Sequence, residues 1–365
     1  MRRIALSLLA AGLLAGLAGP AAADIRIGFA APLTGQLAAV GEQLRLGTDQ
    51  AVADINAAGG VLGRPLVVSV ADDGGVPAQA VAVANRLVTE GVVMVVGHLQ
   101  SGTTIPASQV YGDEGVVVIT PTATSPAVTE GGTDLVFRTC GRDDQQGDVA
   151  GAWLAANFAG KRVAVIHDQT TYGQGLADAT VAAMAAKGLA PVFTGTLAVG
   201  ERDFTALVTS LRAASVDAVY FGGLYTEAAL LVRQSREAGL QAQFVSGDTL
   251  ASEEFWTIAG PAGEGLVMTF SADARNAAAA RPVLERFRAR GVEPGAYTLY
   301  AYAAVQVWAQ AAAKAGSAQG PKVAAALRDG EYATAIGPIA YDAKGDRTRT
   351  DYVMYRWSNG TFAPL

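Results

Sequence analysis

The sequence predicts an α/β protein of two doubly wound parallel-sheet lobes, and three observations carry that reading. Short β-branched runs alternate with alanine-rich stretches of helical spacing along nearly the whole chain, the order that builds parallel sheets covered by helices. Strand candidates such as VVMVV and RVAVI are continuously apolar, as strands buried on both faces must be. The alternation breaks once, at FRTCGRDDQQG (residues 137–147), where Gly141 and a charged run intervene before a second series begins.

The elements follow in order. Met1-Arg2-Arg3, an apolar run from Ile4 to Leu17 and the small residues Gly19 to Ala23 have the pattern of a secretory signal peptide, cleaved after Ala23. A spanning helix needs roughly 20 apolar residues, more than this run supplies. Strands are expected over Ile25 to Phe29, Pro65 to Ala71, Val92 to Gly97 and Gly115 to Thr120 in the first series. The second should contain Arg162 to Asp168, Pro191 to Leu197, Asp217 to Gly222, Gln243 to Gly247 and Gly265 to Phe270. Helical spacing lies between them, as at Leu44, Thr48, Val52 and Ile55, where Gly59-Gly60 would end the helix. Three helical stretches follow, Asn276 to Arg290, Tyr297 to Ala315 and Pro321 to Arg328.

Composition narrows the function. The net charge of −6 becomes −8 when Arg2 and Arg3 leave with the leader, and an acidic exported chain is a poor partner for nucleic acid or anionic lipid. Cys140 is the single cysteine, so no internal disulfide forms although export would permit one. The roughly 340 residues after the leader are enough for two domains. No H-E-x-x-H, cysteine pair or acidic cluster has metal spacing, and neither G-x-G-x-x-G after the first strand nor a P-loop occurs. No cofactor is expected. Ser101 near His98 could suggest a hydrolase, but position 99 is Leu and the G-x-S-x-G elbow is missing. His98 and His167 read as strand-end residues bonded into the scaffold.

Ligands of open α/β sheets sit beyond the carboxyl ends of the strands. Those ends are His98 to Thr104, Pro121 to Ser125, Asp168 to Tyr172, Gly222 to Tyr225 and Gly247 to Thr249. The first two groups offer hydroxyls and helix N-terminal N–H groups, a neutral cradle for an anion. The third and fifth bring Asp168, Tyr172 and Asp248, candidates to face a cation. The polarity suits a zwitterion.

Several ordered segments, among them GQLAAVGEQLRLGTDQAVADINAAGG, GHLQSGTTIPASQVYGDEGVVVITPTATSP, VIHDQTTYGQGLA and EAGLQAQFVSGD, resemble the periplasmic branched-chain amino-acid (Leu/Ile/Val) binding proteins, substrate-binding components of ABC importers. The resemblance runs over essentially the whole chain after the leader. It implies a type I periplasmic binding fold with a three-segment hinge: lobe 1 over 24–142 and 272–349, lobe 2 over 143–271 and 350–365. It further implies that Ser101 and Thr124 bind an α-carboxylate, that the Thr122 carbonyl and Asp248 receive the α-ammonium, and that Tyr172 approaches from the second lobe. Gln100, Leu224 and Tyr297 would border the side-chain pocket.

The chain departs from the leucine-type pattern at Val40 and Leu224, where those receptors carry tyrosines, and at Asp248, where they carry glutamate. Their paired cysteines fall at Gly75 and Gln100. The resemblance therefore implies an amino-acid clamp whose specificity is broadened or shifted. It also implies a periplasmic location, a membrane permease as partner and a monomeric receptor. An exported amino-acid or amide sensor on the same fold is the alternative.

Overall fold

The computed structural model describes residues 23–349 and 351–365. The leader expected over residues 1–23 therefore lies, apart from Ala23, outside the described residues. Two open sheets organise the chain. The first contains β1 (Ile25–Ala31), β2 (Leu66–Asp72), β3 (Met94–Gly97), β4 (Val117–Thr120) and β5 (Val136–Arg138), all parallel in the order β2-β1-β3-β4-β5. The second is built on β6 (Val163–His167), β7 (Phe193–Thr196), β8 (Ala218–Gly222), β9 (Gln243–Ser246) and β10 (Val267–Ser271), also mutually parallel. A small hairpin, β11 (Glu331–Thr334) and β12 (Gly337–Ala340), follows. The chain then crosses back: β13 (Tyr352–Ser358) and β14 (Thr361–Pro364) extend the second sheet antiparallel to β10, in the order β14-β13-β10-β9-β8-β6-β7.

Each sheet has a point where strand order reverses, between β1 and β3 in the first and between β6 and β8 in the second. Loops leaving neighbouring strands there pass to opposite faces of the sheet and open a crevice. The helices that cover the faces pack closely. Gly147 and Gly151 lie one turn apart on the helix Asp143–Asn157, and a Cβ on either would stand 2.5 Å from the Cβ of Ala179 or Ala183 on the helix Thr171–Ala185. Only residues without a Cβ permit that approach. The second long pairing, of the helices Ala38–Ala57 and Thr298–Ala315, brings the 298–315 segment onto the first sheet's side of the molecule.

The antiparallel pair, the hairpin and β5 lie outside the strands expected from sequence. Their signals are weaker: β5 and β11 are short, while β13 alternates buried and exposed residues and ends at Asn359-Gly360. Both of those residues have positive φ, 49° and 82°, the backbone that a two-residue hairpin turn requires. The helix expected over Asn276 to Arg290 is regular only over Arg281–Ala289. Pro282 sits in its first turn, where the missing N–H costs nothing, and two short 3₁₀ turns precede it.

Candidate functional site

Between the two sheets lies a cavity of about 50 Å³ whose lining comes from the ends of β1, β3, β4, β6, β8 and β9 and the start of the helix Thr298–Ala315. Seven of the eight residues expected at a site line it: Gln100, Ser101, Thr122, Tyr172, Leu224, Asp248 and Tyr297. Thr124 is not among the lining residues; it is buried, and its carbonyl accepts the Asp143 N–H at 2.9 Å. Leu37, Val40, Leu99, Thr170, Tyr225 and Thr249 complete the wall.

On the first-lobe side, Ser101 opens the helix Ser101–Asp113, and its Oγ accepts the Ser125 N–H at 3.1 Å. Ser101 also lines the cavity. The Thr122 hydroxyl donates to the Leu99 carbonyl at 2.7 Å, and Thr120 donates to the His98 carbonyl at 2.8 Å. These bonds tie the loops after β3 and β4 into one ledge. Behind it, the buried His98 ring contacts Asp73 at 2.5 Å and the Tyr111 hydroxyl at 3.2 Å. Both ring nitrogens are thus engaged by Asp73 and Tyr111 rather than by Ser101. His167 accepts the Gln169 N–H at 3.2 Å.

The opposite side holds the charge. Asp248 is 7 % exposed, accepts a hydrogen bond from the Tyr172 hydroxyl at 2.9 Å, and its backbone carbonyl accepts one from Tyr297. Burial raises its pKa to about 6, the Tyr172 bond only partly offsetting that cost. Asp168, the other acidic candidate, is already satisfied: it accepts from the Thr170 N–H and hydroxyl at 2.9 and 2.6 Å and from the Leu224 N–H at 3.1 Å. Asp248 lines the cavity, and Asp168 does not.

Sequence reasoning passed over the layer beneath. Gln146 accepts the Asp248 N–H at 3.2 Å and the Thr269 hydroxyl at 2.8 Å, fixing the β9 loop on β10. Asp143, also buried, is pushed well above the ordinary carboxylate range by burial and then by Asp248. Both belong to the DDQQG stretch, whose polarity within a helix start was the available signal. Gly75 and Gln100 are neighbours, since a Cβ on Gly75 would stand 2.6 Å from Gln100 Oε1. No group of three or more His, Cys, Asp or Glu among the described residues is placed to hold a metal ion.

Two α/β lobes closing on a small, mostly apolar cavity with hydroxyls on one wall and one buried acid on the other define a two-lobed solute-binding protein. The chain belongs to the periplasmic binding protein family, whose model matches residues 24–361. It is 45 % identical over 361 residues to a Leu/Ile/Val-binding protein homolog 1 of Brucella suis, covering 99 % of this chain and 97 % of that one. It is 49 % identical over 347 residues to an amino acid binding protein of Pseudomonas aeruginosa, covering 94 % and 93 %. Among solved structures it is similar to the leucine binding protein LivK of Thermotoga maritima, with TM-score 0.86, 26 % identity and 93 % and 97 % coverage. It is likewise similar to LivJ of Streptococcus pneumoniae in complex with isoleucine, with TM-score 0.82, 29 % identity and the same coverage.

Proposed function

We propose that this chain is the exported receptor of an ATP-driven importer and that it captures a small neutral amino acid between its lobes. The observation that carries the reading is the polarity of the cavity, with the Ser101 hydroxyl on one side and Asp248 on the other of an otherwise apolar space. A carboxylate takes the donors of the helix that begins at Ser101, and an ammonium takes Asp248. The Leu/Ile/Val-binding and amino-acid-binding names of the relatives, and the isoleucine held by LivJ, support the same class of ligand.

Residues 24–142 with 272–349 form lobe 1, and 143–271 with 350–365 form lobe 2. Tyr297 and Asp248, from different lobes, meet at the closed cleft. Export places the receptor in the periplasm as a monomer that hands its ligand to a membrane permease. Binding favours the closed arrangement through contacts made on both lobes, since a ligand shifts an equilibrium only by its differential affinity.

The preferred ligand is smaller than leucine, or carries its amine further from the carboxylate. The cavity is small, about 50 Å³, with Val40 and Leu224 as aliphatic walls. Asp248 also holds its charge one methylene further back than a glutamate. Calorimetric titration with the common amino acids and short ω-amino acids tests this, with micromolar binding, about −8 kcal/mol, expected for small neutral ones. Tight binding confined to leucine, isoleucine and valine would remove the size preference, and silence toward every amino acid would remove the reading.

Binding is also expected to depend on pH. An ammonium needs Asp248 ionised, so with its pKa at about 6 the affinity should fall about tenfold from pH 7 to pH 5. Proton release on binding should be visible near pH 5.5 as heats that differ between buffers of different ionisation enthalpy. A flat affinity across that range would assign the ammonium to another group.

A further inference from the structure

We infer that Tyr225 and Gln36 form a latch across the mouth of the cleft and that this latch sets the size of ligand the receptor retains. The inference rests on the two-lobed capture proposed above and adds to it a residue that selects among amino acids.

Tyr225 begins the helix Tyr225–Glu237 on the second sheet, whereas Gln36 lies in the loop after β1 on the first. The Tyr225 hydroxyl donates to the Gln36 backbone carbonyl, joining the two lobes directly. The tyrosine is 2 % exposed although its partner stands at the surface. Buried Glu227, two residues after Tyr225 on the same helix, accepts the Gly200 N–H at 2.8 Å and lies close to the Gln36 side chain. Leu37 follows Gln36 and Leu224 precedes Tyr225, and both line the cavity. The bond thus fixes the distance between the two leucines that roof it.

A hydrogen bond across a closing cleft is gained only when closure is complete. With the latch made, the cavity is about 50 Å³. A small amino acid fits inside and receives the latch energy; a larger one props Leu37 from Leu224 and forgoes it. The hydroxyl therefore favours small ligands without touching their polar ends, and it does so by slowing release, because the latch forms after encounter.

The test compares wild type with Tyr225→Phe, which keeps the ring and removes the hydroxyl, using alanine and leucine in calorimetry and stopped-flow fluorescence. Alanine affinity should fall roughly three- to tenfold, the equivalent of one ordinary hydrogen bond, through faster dissociation at an unchanged association rate. Leucine affinity should stay the same. Equal losses for both ligands, or no loss for either, would overturn the latch as a filter. If wild type binds neither alanine nor leucine, the latch as a size filter is overturned, whereas the capture reading falls only with silence toward every amino acid, the short ω-amino acids included. X-ray scattering on wild type gives a check independent of the variant: alanine should yield the more compact particle, and identical compaction with both ligands would overturn the inference.

Discussion

Replacing Asp248 by asparagine is expected to lower amino-acid affinity by two to three orders of magnitude while making the empty protein more stable at neutral pH. The first effect follows from leaving an ammonium in a closed cleft without its opposite charge, which costs about 3–5 kcal/mol for a buried pair, at about 1.4 kcal/mol per tenfold. The second follows from the pKa of Asp248, raised from 3.8 to about 6 by burial. Between those values the unfolded chain gives up its proton before the folded one does, so stability falls as pH rises through the window and stays lower above it. The cost at pH 7 is on the order of 2–3 kcal/mol at 1.36 kcal/mol per unit, and the amide abolishes it. Denaturant titrations of both proteins at pH 7 and pH 4 measure this directly, with a gain expected at pH 7 and little difference at pH 4. Calorimetry measures the first effect. Wild-type affinity in the variant would make Asp248 a turn residue and send the search for the ammonium's partner elsewhere.

The largest loss of stability is expected from Asp346→Ala. Arg138, wholly buried at the end of β5, is paired with Asp346 at 2.7 Å and donates to the carbonyls of Ala123 and Ser125 at 2.8 and 3.2 Å. Asp346 also accepts from Arg142 at 2.5 Å and from Thr129 at 2.8 Å. The two arginines hold its carboxyl below the usual range against the opposing effect of burial. Removing the carboxylate strands the Arg138 charge in the interior, at about 3–5 kcal/mol. The denaturation midpoint should fall with an unchanged slope, the mark of lost stability without a changed unfolded state. Ligand affinity of the folded fraction should fall as well, because Arg138 holds the Ala123–Ser125 carbonyls beside Thr122. A stability within about 1 kcal/mol of wild type, the usual scale of an exposed pair, would show that water reaches this pair.

Much of this protein was legible in sequence because its signals are local. Period and apolar continuity revealed every parallel strand except the three-residue β5, and the strand-end rule placed Ser101, Thr122, Tyr172 and Asp248 near one site. The chain end was less legible. Tyr352–Ser358 follows three helical stretches, and only its alternation and the Asn359-Gly360 turn mark it as a strand. Pro282 moved a helix start by five residues for a reason that a count of apolar positions does not contain.

What the sequence by itself determined is the set of groups that can reach the crevice, because side-chain chemistry and strand ends are written along the chain. Only the tertiary structure decided which of them remain free to act. Asp168 and Asp248 look alike in sequence, yet Asp168 is bonded by Thr170 and Leu224 away from the cavity while Asp248 lines it beside Tyr172. Thr124 stands two residues from Thr122 and is buried without being among the residues that line the cavity. Arg138 and Asp346, some two hundred residues apart, find each other, as do Tyr225 and Gln36. The physical reason is the same in each case: hydrogen bonds and ion pairs are satisfied by whatever folding brings within about 3 Å, and sequence separation carries no information about that distance.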